Sequence, residues 1–183
     1  EHSAQIVAVR KLLAALLADG CEAMVVQGDI ADEAAVHAMV DAVHERFGTI
    51  DVLVNNAGGV RDAIYTTGEG LEATFAANHL APFLLTRELL PLLERGVANN
   101  AANAVRVIAM SSSAHEHIPG MNWDDLMFRN GPAGAAYCQA KLANLLYTRE
   151  LNRKLAAKGI VAQAMHPGLV HSNFASHGDQ NMQ

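Results

Sequence analysis

Val105-Arg106-Val107-Ile108-Ala109-Met110 runs straight into Ser111-Ser112-Ser113, and Ile160-Val161-Ala162-Gln163-Ala164-Met165 runs straight into His166-Pro167-Gly168. Each is a six-residue, mostly apolar run that opens on β-branched residues and is stopped by small, polar or ring-constrained ones, the pattern of a buried strand. Between them Gly134 to Lys158 carries apolar residues at helical spacing and ends at Gly159, a helix C-terminal signal. A strand, a long helix and a second strand make a crossover unit, so the strands are parallel. Working outward, Ile50-Asp51-Val52-Leu53-Val54 predicts another strand, running into Asn55-Asn56-Ala57-Gly58. Glu22-Ala23-Met24-Val25-Val26-Gln27 predicts a fourth, ending at Gly28-Asp29. Helical patterns cover Ile6 to Ala18, Asp32 to Phe47 (capped by Asp32 and closed by Gly48) and about Leu71 to Arg95. Pro82 marks a kink or seam in the last of these. The expected fold is α/β, a doubly wound parallel sheet of Rossmann type with helices on both faces, in one domain over residues 1–183.

In such sheets ligands bind outside the carboxyl ends of the strands. The polar clusters Gly28-Asp29, Asn55 to Gly58, Ser111 to Ser113 and His166 to Gly168 all fall there, so four strand ends converge on one crevice.

Composition narrows the partners. Of 183 residues 51% are hydrophobic and 5% aromatic, which suits helices packed on a sheet. The net charge of −6 argues against nucleic acid or an anionic membrane, both of which attract basic surfaces. No apolar run approaches the ~18 residues of a membrane-spanning helix. The start, Glu1-His2-Ser3, lacks the layout of a secretory signal, and Cys21 and Cys138 lie far apart. A reduced, cytoplasmic setting is the simplest expectation.

Tyr137 and Lys141 stand four apart on a predicted helix and share a face. A lysine ammonium beside a phenol favours phenolate and lowers the tyrosine pKa, suiting it to give a proton to a carbonyl oxygen or take one from an alcohol. A surface pair on an amphipathic helix fits that spacing too. Ser112 ends a strand at the same sheet edge, where its hydroxyl can hold a substrate oxygen, although a serine run after a strand is also an ordinary turn or cap. Asn78 interrupts the apolar run Phe75-Ala76-Ala77-Asn78-His79-Leu80, either as a satisfied core amide or as one holding a helix distortion and a water in a proton path. Gly58 permits close backbone approach to a ligand. Gly68-Glu69-Gly70-Leu71-Glu72-Ala73 fits a dinucleotide pattern formally but follows no strand, so it predicts a loop and helix start. His115-Glu116-His117 has no third ligand at a supporting spacing, and no metal site is expected.

In order along the chain, Gly28-Asp29-Ile30, Asn55-Asn56-Ala57-Gly58, Asn78, Ser112, Tyr137-x-x-x-Lys141 and Pro167-Gly168-x-Val170-x-Ser172 resemble the short-chain dehydrogenase/reductase family. Phe75 to Thr86, Tyr137 to Asn144 and Thr148-Arg149-Glu150-Leu151 look like its retinol dehydrogenase-like branch. The resemblance implies an NAD(P)-dependent oxidoreductase that interconverts a small hydrophobic alcohol with its aldehyde or ketone. Tyr137 would be the acid/base, Lys141 would lower its pKa and bind the nicotinamide ribose, Ser112 would orient the substrate oxygen, and Asn78 would anchor a relay water. Ser111 and Ser113 stay open as alternatives to Ser112. Asp29 and Ile30 would meet the adenine, Asn55, Ala57 and Gly58 would line the cofactor, and Pro167, Gly168, Val170 and Ser172 would hold the nicotinamide side. Ser172 stands where threonine is usual. The branch points to NADP over NAD.

The resemblance also implies an incomplete domain. The family's opening strand and glycine-rich turn have no counterpart in this sequence. About a quarter of the usual domain is expected ahead of Glu1, and a comparable piece after Gln183. The first family strand is central, so its neighbours are expected to show unpaired backbone and apolar surface. Two other classes remain: a non-catalytic nucleotide-binding or interaction protein that keeps the fold, and an epimerase or dehydratase acting on a sugar nucleotide. The apolar helices around Leu84-Leu85 and Leu145-Leu146 suit pairing in a homodimer or homotetramer, and core burial explains them equally well.

Overall fold

The computed structural model describes residues 2–30 and 32–168, with side chains from residue 6 onward. Val170 and Ser172 lie outside the described residues. The elements are α1 (His2–Ala18), α2 (Glu33–Phe47), β1 (Val52–Asn55), α3 (Ala73–Phe75) leading through a π-helical turn (Ala76–Leu80) into α4 (Ala81–Asn99), β2 (Val105–Met110), α5 (Ala133–Leu155) and β3 (Ile160–Met165).

Three parallel strands lie in the order β1-β2-β3, in a register that pairs Leu53 with Val107 and Val107 with Ala162. The parallel arrangement expected from the alternating pattern is therefore present, and β2 and β3 span the residues their apolar runs predict. Leu53, Val105, Val107, Ile160 and Ala162 turn to one face and are buried against Leu89, Leu92 and Leu93 of α4 and Leu155 of α5. This cluster is the core. Gly96 lets α4 sit close on the lead-in to β1, since a Cβ there would stand 2.3 Å from the carbonyl oxygen of Ile50.

Two expectations change. Residues 22–27 run extended but do not join the sheet, and Val25 and Val26 are exposed. A parallel strand exists only as part of a ladder, and among the described residues this segment has no ladder partner. Helices were expected on both faces of the sheet, and among the described residues they cover one. On the other face Val52, Val54 and Met165 are about half exposed. Between residues 22–27 and β1 an apolar groove of about 590 Å³ is lined by Met24, Val26, Met39, Val52, Leu53 and Leu85 among others. The unpaired backbone and apolar surface expected beside β1 are thus present.

Local signals place the helices. The Asp32 side chain accepts from Ala34 N at 2.9 Å at the start of α2, and Gly48 closes it with φ of 72°. The seam expected at Pro82 is a π turn just ahead of it, with Ala81 N–H donating to Ala76 O. No described helix is long and apolar enough to cross a membrane.

Candidate active site

The site forms where β2 ends and α5 begins. Tyr137 and Lys141 lie in the second and third turns of α5, both buried, with Lys141 Nζ 5.5 Å from the tyrosine ring centre. Ser112, two residues past β2, lies close enough to the Tyr137 phenol for its hydroxyl to pull the phenol's pKa down, and its Oγ accepts from Ala114 N at 3.2 Å. Ser111 Oγ instead donates to Lys141 O at 2.9 Å, so it is occupied in fixing α5 to β2. Ser113 opens the short 3-10 turn that Ser112 caps. Of the three serines, the structure brings Ser112 to the tyrosine.

The electrostatics differ from the expectation. Burial raises the Tyr137 pKa, and the Ser112 hydroxyl offsets this in part; the neighbouring Cys138 raises it slightly further. The Lys141 ammonium was expected to lower it, but burial holds Lys141 itself down to about 8. A half-neutral lysine near pH 8 exerts less pull on the phenol than a permanent cation would. Lys141 Nζ donates to Met110 O at 3.0 Å, the carbonyl that ends β2.

Asn78 sits in the π turn, 1% exposed. Its Nδ2 donates to Gly59 O at 2.8 Å and Thr74 O at 2.9 Å, and its Oδ1 accepts from Gly59 N at 3.2 Å. The amide is satisfied, as a core amide would be, and it sits in a helix distortion. Gly58 has φ of 155°, and a Cβ there would stand 2.5 Å from Asn78 Oδ1 and 3.6 Å from Lys141 Nζ. The close approach that Gly58 permits is thus to Asn78, beside the lysine.

Asn55 ends β1, buried, with Nδ2 donating to Thr86 Oγ1 at 2.8 Å and Oδ1 without a partner among the described residues. Ala57 and Gly58 follow it on the exposed surface. Asp29 is exposed and Ile30 half-buried at the end of the segment that stays out of the sheet. Pro167 and Gly168 lie exposed just past β3.

Three residues escaped notice in the sequence. Asn144 is buried and joins α5 to Asn78. Thr86 links Asn55 to Pro82 O. Gln139, fully buried, accepts from Asn122 N at 2.7 Å and donates to Leu126 O at 2.8 Å, fastening the 122–126 loop to α5 beside Tyr137. The signal that picks out Asn78, a polar amide inside an apolar helical run, also marks Asn144 within Leu142-Ala143-Asn144-Leu145-Leu146.

A parallel sheet with helices crossing between its strands and polar side chains gathered at the strands' carboxyl ends defines the doubly wound α/β class. The chain belongs to the short chain dehydrogenase family, whose model matches residues 3–183, and within it to a retinol dehydrogenase-like branch. It is 38% identical over 152 residues to human retinol dehydrogenase 13, covering 81% of this chain and 44% of that protein. It is 36% identical over 152 residues to bovine retinol dehydrogenase 12, covering 81% and 45%. The chain thus spans less than half the length of these relatives. A short chain dehydrogenase from Burkholderia cenocepacia, solved in complex with NADP, superposes with a TM-score of 0.65 at 28% identity, over 87% of this chain and 58% of that one. An NADPH-bound carbonyl reductase from chicken fatty liver gives a TM-score of 0.70 at 24% identity, over 95% and 67%, a likeness of fold.

Proposed function

We propose that this chain carries the proton-transfer half of an NAD(P)-dependent oxidoreductase that interconverts a hydrophobic alcohol with its aldehyde or ketone. The observation that carries this reading is the Tyr137 phenol, buried, beside the Ser112 hydroxyl and one helical turn from Lys141. The nicotinamide supplies or accepts the hydride when bound. Tyr137 would give its proton to the carbonyl oxygen, or take one from the alcohol, while Ser112 holds that oxygen. Burial keeps the phenol protonated, the form that gives a proton to a carbonyl oxygen.

The residues present fit one end of such a cofactor. Lys141 Nζ has three N–H donors, of which the Met110 bond uses one. It stands beside the exposed, side-chain-free edge of Gly58, where a ribose hydroxyl could approach. The buried Oδ1 of Asn55 is an acceptor in need of a donor. Asp29 and Ile30 would meet the adenine, and Pro167 and Gly168 the nicotinamide side. The Burkholderia short chain dehydrogenase was solved in complex with NADP; NADP is our assignment, on that likeness and on the resemblance to the retinol dehydrogenases.

The test uses the protein purified as its gene encodes it. Oxidation of NADPH with a medium-chain aldehyde or retinal is followed at 340 nm for the unmodified protein and Tyr137→Phe. Turnover that falls at least ~1000-fold in a folded variant is expected. Turnover at the unmodified rate in Tyr137→Phe would overturn the assignment.

A further inference from the structure

Asn144 lies one turn beyond Lys141 on α5 and is buried. Its Nδ2 donates to Asn78 O at 3.0 Å and to Met110 O at 3.4 Å, and its Oδ1 lies 2.9 Å from His79 Nδ1. Each contact answers a need created elsewhere. In a regular helix Asn78 O would accept the N–H of residue 82, but residue 82 is proline and has none. Ala81 N–H is already spent on Ala76 O. The carbonyl that lacks its regular helical donor because of the proline accepts instead from the neighbouring helix, from Asn144. Met110 O is the acceptor that Lys141 Nζ uses, so one oxygen receives the lysine and, more weakly, the asparagine.

The orientation of the amide is fixed by what it faces. Two carbonyl oxygens require the NH₂ end, which turns Oδ1 toward His79. His79 Nδ1 must then carry a proton, and burial lowers the ring's pKa, which favours the neutral Nδ1–H tautomer. His79 is itself held among Phe75, Phe83 and Tyr147, with ring centres 5.1, 6.5 and 6.1 Å away.

We propose that Asn144 is a positioning residue: it holds both the Met110 carbonyl that receives Lys141 and the Asn78 carbonyl next to it, and His79 anchors the other end of its amide. This rests on the reading above that Lys141 serves Tyr137. Asn144 touches neither the phenol nor the Ser112 hydroxyl in any contact seen here, and acts through Lys141 and the π turn.

The test compares the unmodified protein, as its gene encodes it, with Asn144→Leu, His79→Phe and His79→Gln. Asn144→Leu keeps the volume and removes every hydrogen bond. His79→Phe keeps a ring but leaves Asn144 Oδ1 without a donor, which removes one of the anchors that hold the amide in place. His79→Gln can donate again through its own amide. One readout needs no turnover: the pH midpoint of Lys141 acetylation by acetic anhydride in the folded protein, read by peptide mass spectrometry. In Asn144→Leu the lysine becomes the sole donor to Met110 O, which favours its charged form, and a midpoint at least ~0.5 pH units higher is expected. With NADPH and aldehyde, kcat should fall at least ~10-fold while both KM values stay within about threefold. His79→Phe should move both readouts the same way, and His79→Gln should restore them to within about twofold of the unmodified protein.

A folded Asn144→Leu with an unmoved midpoint and unmoved kcat overturns the proposal. So does a lowered melting temperature with the midpoint unmoved, which is the mark of a packing role alone. If Asn144→Leu does not fold, the His79→Phe and His79→Gln pair decides by the same readouts. If the unmodified protein does not reduce aldehydes, the oxidoreductase reading fails, and the acetylation midpoint still decides the role of Asn144.

Discussion

Gly58 and Asn78 fit together so closely that a single methyl group would separate them: a Cβ on Gly58 would stand 2.5 Å from Asn78 Oδ1. Gly58 also takes a φ of 155°, which L side chains rarely adopt. Gly58→Ala must therefore strain the backbone and push the Asn78 amide off Gly59, whose N–H and carbonyl it binds. The expected cost is about 2–4 kcal/mol in unfolding free energy, measured by urea titration. A loss under about 0.5 kcal/mol would mean that the loop moves aside freely.

Lys141 makes stability depend on pH in a defined window. Its pKa is about 8 when folded and 10.5 by default. Between these values the unfolded chain binds a proton that the folded chain does not, so stability rises as pH increases through the window. Below pH 8 the burial cost of the ammonium is present in full. Lys141→Met should thus be more stable than the unmodified protein at pH 7. Its advantage should shrink by about 2 kcal/mol by pH 9.5, since each pH unit is worth about 1.4 kcal/mol. Unfolding free energies of the two proteins at both pH values check this, and a gap that stays constant would count against a perturbed lysine.

Much of this architecture is legible in the sequence, for reasons that differ from element to element. β2 and β3 are mostly apolar runs with abrupt polar ends, and α2 carries its own cap and stop in Asp32 and Gly48, so local chemistry defines their limits. Residues 22–27 have strand composition, yet strand formation depends on a ladder partner, which composition does not report. The grouping of Tyr137, Ser112, Lys141 and Asn78 follows from the order of strands and helices. Their electrostatics do not: the charge spacing of Tyr137 and Lys141 suggests a lowered phenol pKa, while burial, a property of the packed whole, pushes it up. Asn144 was hidden because its importance depends on Pro82, 62 positions earlier in the chain, which removes the regular helical donor from the carbonyl that Asn144 caps.

Thr86 offers a test of the buried polar chain behind the site. Its hydroxyl accepts from Asn55 Nδ2 at 2.8 Å and donates to Pro82 O at 2.7 Å. Thr86→Val preserves shape and β-branching but leaves Asn55 Nδ2 buried without an acceptor, beside an Oδ1 that already lacks a partner. A loss of about 1–3 kcal/mol in urea-induced unfolding is expected, because an unsatisfied buried donor costs its desolvation. Thr86→Ser, which keeps the hydroxyl, should recover most of it. Equal losses in the two variants would assign the effect to the missing methyl group instead.

The open edge of β1 makes a prediction about a polypeptide of these 183 residues. Val52 and Val54 are each 50% exposed, and the adjoining groove is lined by Met24, Val26, Met39 and Leu85. Apolar surface gathered in a concave site, rather than scattered singly, binds hydrophobic dyes. This polypeptide should enhance 8-anilinonaphthalene-1-sulfonate fluorescence while its far-ultraviolet circular dichroism still reports folded helix and strand. Val52→Lys should reduce the enhancement without lowering the melting temperature, because Val52 lines the groove yet is half exposed and points away from the buried face that carries Leu53 and Asn55. Its charge should also discourage edge-to-edge pairing of β1. Dye binding that is unchanged in Val52→Lys would place the responsible surface elsewhere, on the exposed leucines and valines of α1.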